Sequence, residues 1–291
     1  MRFSAVIRLH RPVWIAGLMI LVLSVCVVCS GIRDTWAVSV PVENGKAVPI
    51  LMYHSLLKDP ARAGQYVISP DQFRQDIQYL QEHGYTTVLM TDVIRYVQEG
   101  TPLPEKPIVI TFDDGYYNNY LYGFPILKEL NAKAVISIIG RYTDLFSQTD
   151  ENNAYYSHCT WDQIREMQAS GLVEIQNHTY NLHTYDNRRH GCANKKWEVE
   201  ADYDQTVGED ILKLQNRIRT ETQFTPNTFV YPFGSYTKMS EALIRDLGFS
   251  ASLSCESGVT VVHDAESLYC MKRYIRPSGS DSVSYFQKIG L

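Results

Sequence analysis

The stretch PIVITFDDGYY, residues Pro107–Tyr117, carries an apolar run that stops abruptly on two adjacent carboxylates and a glycine. A run of this length bounded by a turn signal reads as a strand buried on both faces, as in a parallel sheet. Side chains alternate across a strand, but a tight turn at its C-terminal end can aim neighbours into one cleft. Asp113 and Asp114 are thereby available for two different jobs, one as proton acceptor and one as metal ligand. On these residues alone an ordinary Asp-Gly turn is the favoured explanation of the motif. Distant residues must supply the remaining ligands.

Working outward, apolar strand-like runs alternate with amphipathic helices from Pro49 almost to the end. PILMYH is followed by a helix opened by Ser69-Pro70 and striped by Phe73, Ile77 and Leu80, which Gly84 stops. TTVL, PIVITF, KAVISIIG, LVEIQNH, TFVYPF and FSASLS are the later strands, with helices expected at 91–98, 124–130, 160–171, 197–219 and 238–247. Six to eight such units imply parallel pairing through helical crossovers and suit a closed or distorted (β/α) barrel. Ligands then belong at the C-terminal strand ends, where Asp113 and Asp114 lie.

The strand LVEIQNH also ends in chemistry, with His178 and His183 in the loop that follows it. Two histidines and one carboxylate form a three-ligand set that leaves a position open for water, as a hydrolytic zinc site requires. Two solvated loop histidines are the plainer reading of that pair by itself. A third strand ends in Tyr231-Pro232-Phe233-Gly234, a fixed turn whose backbone N–H groups are candidate oxyanion donors.

The 291 residues, 45% hydrophobic and 20% charged with net charge -5, describe a globular chain with ample core and no basic stripe, which argues against a nucleic-acid partner. The N-terminus differs in kind. Arg2, Arg8 and Arg11 precede an apolar run from Val13 to Val28, so residues 1–12 read as a cytoplasmic flank and 13–30 as a membrane anchor or signal peptide. No good cleavage site follows, which favours an anchor. Residues 31–48 read as a linker and 49–291 as the catalytic domain. Cys159, Cys192, Cys255 and Cys270 permit two disulfides without establishing any.

TFDDG, a His-Thr with a second His, and a Pro-aromatic-Gly strand end resemble the polysaccharide deacetylases of carbohydrate esterase family 4, with a NodB-type barrel. The resemblance covers nearly everything from Pro49 to Leu291. It implies that Asp113 is the catalytic base and that Asp114, His178 and His183 bind a divalent metal, zinc by ligand type. The five-residue histidine spacing and the opening PILMYHSL are similar to the exopolysaccharide branch that acts on poly-β-1,6-N-acetylglucosamine. In that branch the general-acid histidine falls on the first strand, which puts His54 ahead of His263. Val230 stands where the family usually has the arginine that orients the base, and Arg276 is the expected replacement. The resemblance implies N-deacetylation of an extracellular or cell-wall polymer, poly-N-acetylglucosamine or peptidoglycan, by a membrane-tethered enzyme with Phe233 and Tyr231 near the oxyanion. Tyr116, Tyr117, Tyr180 and Trp161 are candidate stacking residues. The missing arginine also leaves open a carbohydrate-binding protein with a degenerate site. A glycosidase is disfavoured, because its two carboxyl groups must stand about 5 Å or more apart across the bond.

Overall fold

The computed structural model describes residues 45–186 and 189–291. Eight parallel strands form one curled sheet: β1 (Ile50–Tyr53), β2 (Thr86–Thr87), β3 (Pro107–Phe112), β4 (Ala134–Ile138), β5 (Val173–Asn177), β6 (Thr228–Val230), β7 (Ala251–Leu253) and β8 (Tyr274–Ile275). Their order is β7-β6-β5-β4-β3-β1-β8, with β2 paired to the start of β3. Strands adjacent in sequence from β3 to β7 are therefore adjacent in space, the outcome expected of strand-helix-strand repeats. The expected alternation of strands and helices is present, and in place of a closed barrel the sheet curls as a half-barrel with helices.

Period-two alternation sorts the strand residues into two apolar layers. Leu51, Tyr53, Ile108, Ile110, Phe112, Ile136, Ile138 and Ile175 pack outward in one core with the helices at Pro70–Glu82, Phe124–Glu129 and Trp161–Ala169. Ile50, Val109, Val135, Val230 and Leu253 belong to a second core, shared with Val93, Ile94 and Val97 of the helix at Met90–Glu99. This second layer is the inner face of the curl. Ser69 caps the Pro70–Glu82 helix by accepting from the Gln72 backbone N–H, as its sequence position indicates.

The curl is tied at its edges. Met271 bridges Leu253 of β7, and three residues on, Tyr274 and Ile275 pair with Leu51 and Met52 of β1. The segment Met271–Ile275 thus acts as a strap across the mouth of the sheet, and its side chains obey the same alternation.

Several expectations change. Lys46–Val48 is not linker but a strand paired antiparallel with Thr260–Val262, so the domain begins earlier than residue 49. The long helix begins at Glu200, widens into a π turn over Asp204–Gly208 and continues to Thr222. Helices at Gly140–Thr149 and Ser282–Ile289 were not anticipated. All four cysteines of the domain are free thiols. The expected anchor at 13–30 lies outside the described residues, among which no helix is long and apolar enough to cross a membrane.

Candidate metal centre and catalytic cleft

Alternation along each strand decides which side chains reach the cleft. Met52 and therefore His54, Thr111 and therefore Asp113, Gln176 and therefore His178 all fall on the inner face. Asp114 would point outward by the same rule, but its φ of 71° breaks the strand and turns the carboxylate back. Gly115 follows at φ 72°, and a Cβ there would lie 2.8 Å from Ile138 Cγ2, so only glycine fits.

Asp113 is 3% exposed and its carboxylate accepts three hydrogen bonds. Arg273 grips it with two parallel bonds, Nη1 to Oδ1 at 2.8 Å and Nη2 to Oδ2 at 2.9 Å, and the Ser137 hydroxyl donates to Oδ1 at 3.0 Å. Burial alone would push its carboxyl up; the guanidinium beside it overcomes this and holds it well below the usual carboxylate range. The partner of Asp113 is thus Arg273, not the expected Arg276. Arg273 and Ile275 face inward on the strap, whereas Arg276 faces outward and is paired with Asp76 at 2.8 Å and 3.0 Å. Arg273 also donates to Thr111 Oγ1 and to the Ser254 carbonyl, which fixes the fork in place.

Asp114, His178 and His183 converge, each offering one ligand atom within 4.8 Å of the others. His183 Nε2 lies 3.3 Å and His178 Nε2 3.6 Å from Asp114 Oδ1. The His178 Nδ1–H donates to the Val230 carbonyl at 2.7 Å, which leaves Nε2 deprotonated and facing the carboxylate. Val230, where a family arginine usually stands, therefore contributes its backbone. Burial pushes the imidazolium form of His178 down to about 3, lowers His183 in the same direction, and pushes the Asp114 carboxyl up to about 6. Asp114 Oδ1 is buried without a hydrogen-bond donor. A divalent cation satisfies all of this: it gives the orphaned oxygen a partner and needs the two imidazoles neutral.

These groups open into one cavity of about 990 Å³, lined also by His54, Tyr66, Tyr116, Tyr155, Tyr156, Tyr185, His190, Phe233 and Cys255. His54 is in it, packed edge-on to Tyr66 with ring centroids 4.8 Å apart; His263 is 57% exposed elsewhere, beside Asp264. Phe233 lines the cavity at φ 59° with its ring 4.1 Å from that of His183. Tyr231 does not line it. Alternation turns Tyr231 outward, where it is fully buried against Phe229 and Tyr236. Of the four proposed stacking residues only Tyr116 reaches the cleft; Trp161 is buried with its indole N–H on Asp144, Tyr180 lies under Lys213, and Tyr117 packs against Tyr120.

The family model for polysaccharide deacetylase matches residues 100–252, which contain Asp113, Asp114, His178, His183 and the turn at Phe233. The chain belongs to the polysaccharide deacetylase family. It is 28% identical over 238 residues to the poly-β-1,6-N-acetyl-D-glucosamine N-deacetylase of Escherichia coli K12, a match covering 75% of this chain but 35% of that protein. The chain thus spans about a third of that relative's length. Among solved structures, the de-N-acetylase from Aggregatibacter actinomycetemcomitans superposes with a TM-score of 0.69 at 25% identity, covering 83% of this chain and all of that one. IcaB from Ammonifex degensii gives 0.66 at 26% identity, covering 80% and 94%.

Proposed function

We propose that this polysaccharide deacetylase is a metal-dependent hydrolase that removes N-acetyl groups from N-acetylglucosamine units of an exopolysaccharide, poly-β-1,6-N-acetylglucosamine in particular. One observation carries the reading: a buried carboxylate with an orphaned oxygen and two neutral imidazoles meet beside a second carboxylate that Arg273 keeps ionised. Asp114, His178 and His183 hold the ion, zinc by ligand type. When bound, the ion supplies Lewis-acid activation of water and of the acetyl carbonyl.

The chain's own residues supply the rest. Asp113 takes the proton of the attacking water, and the two bonds from Arg273 with the third from Ser137 keep its carboxylate oriented toward the cleft. The Phe233 backbone N–H meets the developing oxyanion. His54 donates a proton to the departing sugar amine. Arg273 supplies the guanidinium that Val230 lacks, which supports an enzyme over a binding-only site.

The basic flank and apolar run at 1–30 support a placement outside the cell, tethered to the membrane, where a polymer too large to enter can be reached. The deciding experiment measures acetate released from β-1,6-linked N-acetylglucosamine oligomers. Activity should disappear with chelator and return on adding zinc. Asp114→Ala and His178→Ala should lose at least a hundredfold, and undiminished acetate release in either variant overturns the reading.

A further inference from the structure

Among the described residues, six phenylalanine, tyrosine or tryptophan side chains are exposed: Tyr66, Tyr155, Tyr156, Tyr185, Trp197 and Phe233. All but Trp197 line the catalytic cavity. A globular surface scatters its exposed apolar groups singly; gathering nearly all its exposed aromatic rings around one cleft marks a binding surface.

Three of the rings in this cleft form a compact patch contiguous with the metal set. The His190 ring lies 3.8 Å from Tyr185 and 4.7 Å from Phe233, with interplanar angles of 20° and 27°, and Tyr185 lies 5.2 Å from Phe233. Phe233 in turn touches His183. The patch is built from two separate segments, the hairpin Tyr185–Asp186 with Arg189–His190 and the turn after β6. They are seated tightly together, since a Cβ on Gly191, itself at φ 57°, would come within 2.8 Å of the Pro232 carbonyl oxygen. Phe233 is held in left-handed backbone that a bulky residue adopts only at a cost of roughly 1 kcal/mol or more, a feature that clusters at ligand clamps. Yet the patch stays open: Tyr185 is 76% exposed and Phe233 39%. The residues that fix the metal do not need these rings, and core packing does not use them.

We propose that Tyr185, His190 and Phe233 form a stacking subsite for a sugar ring of the polymer next to the unit being deacetylated. This rests on the deacetylase reading of the same cleft. A pyranose presents C–H groups on its faces and hydroxyls at its rim, which suits flat rings with polar edges. The cavity volume is at the upper end of the roughly 300–1,000 Å³ of ordinary small-ligand pockets, which is room for more than the reacting acetamide unit. The outermost ring, Tyr185, makes the subsite's largest open face.

The test compares wild type, Tyr185→Ala and Tyr185→Trp on a β-1,6-linked N-acetylglucosamine pentasaccharide and on a chromogenic aryl acetate too small to reach the patch. Tyr185 is exposed, so the variants should fold. Tyr185→Ala should raise KM for the pentasaccharide roughly three- to tenfold, the worth of one aromatic contact, with kcat and the aryl acetate kinetics unchanged, and Tyr185→Trp should restore KM. Calorimetric Kd for the pentasaccharide in chelator should shift by the same factor. Unchanged KM and Kd in Tyr185→Ala, or an equal loss on the aryl acetate, overturns the subsite. If wild type binds the pentasaccharide through Tyr185 but releases no acetate with zinc present, the subsite stands and the deacetylase reading fails.

Discussion

Arg273 and Arg276 are three residues apart, both fully buried and both paired with an aspartate, yet they do different work because alternation sends one inward and the other outward. Arg273 decides the charge of Asp113. The stabilisation that ionised Asp113 contributes is complete above the ordinary carboxyl value of about 3.9 and is lost as pH falls through its depressed folded value. In Arg273→Met the guanidinium is gone and burial outweighs the one bond left from Ser137, so the Asp113 carboxyl should rise above its ordinary value and the folded state should favour its protonated form. The variant should be destabilised by about 3–5 kcal/mol at pH 7, and the gap to wild type should narrow toward pH 4. Urea midpoints at the two pH values check this. The acid limb of the acetate-release profile should also move to higher pH. An unmoved limb with an unchanged stability gap would show that Arg273 only packs. In Arg276→Met the stability loss should be similar while the acid limb stays in place.

At the scale of the element, the ends of β1 and β3 were legible because each is a short apolar run, and that of β5 because Val173 and Ile175 alternate with polar residues; each stops on a residue able to do chemistry, and alternation fixes the side it faces. The same rule, applied to KRYIRP, separates Arg273 from Arg276 once Tyr274–Ile275 is known to be a strand; with only two paired residues, that strand gives almost no pattern to read. Tyr231 was misplaced for the same reason in reverse, since Val230 faces inward and its neighbour must face outward. The paired strands Tyr185–Asp186 and Arg189–His190 lie in a polar stretch with no apolar period, which gives their aromatic patch no sequence signal. The strand end at Asp114-Gly115 was legible as a turn, and its tightness gives a prediction. Gly115→Ala must place a methyl against Ile138 in a backbone conformation that alanine resists. A loss of about 1–3 kcal/mol is expected, with zinc affinity reduced at least tenfold because Asp114 is carried away from His178 and His183. Calorimetric zinc titration checks the second effect. Wild-type affinity in a variant that is merely less stable would show that the turn does not set the ligand.

Across the whole molecule, the strap that brings Arg273 to Asp113 is held from outside by the helix at Ser282–Ile289. Asp76 on the Pro70–Glu82 helix accepts from Arg276, from Tyr53 and from Ser282, the first residue of the last helix, and the Arg276 guanidinium also donates to the Ser280 carbonyl. Tyr285 donates to the Ile275 carbonyl, and Phe286 is fully buried and stacked on Tyr79 at 4.9 Å. Ending the chain at Asp281 removes both aromatic anchors, each worth about 1.5–3 kcal/mol of burial, and leaves Asp76 one donor short. The strap would then rest on its own backbone bonds, Met271 N–H to Ser252, Arg273 N–H to Glu256 and Arg276 N–H to Met52, and on the Arg273–Asp113 and Arg276–Asp76 pairs. The truncated protein, studied where circular dichroism shows it still folded, should exchange the amide hydrogens of Met271, Arg273 and Arg276 faster than wild type, while those of β3 and β4 keep their protection. Because a looser strap disorders Asp113 and leaves the stacking residues alone, kcat should fall with KM little changed. Faster strap exchange with full kcat would mean that Arg273 holds the base without help from the last helix; native exchange with a reduced kcat would mean that the helix acts on the cleft by another route.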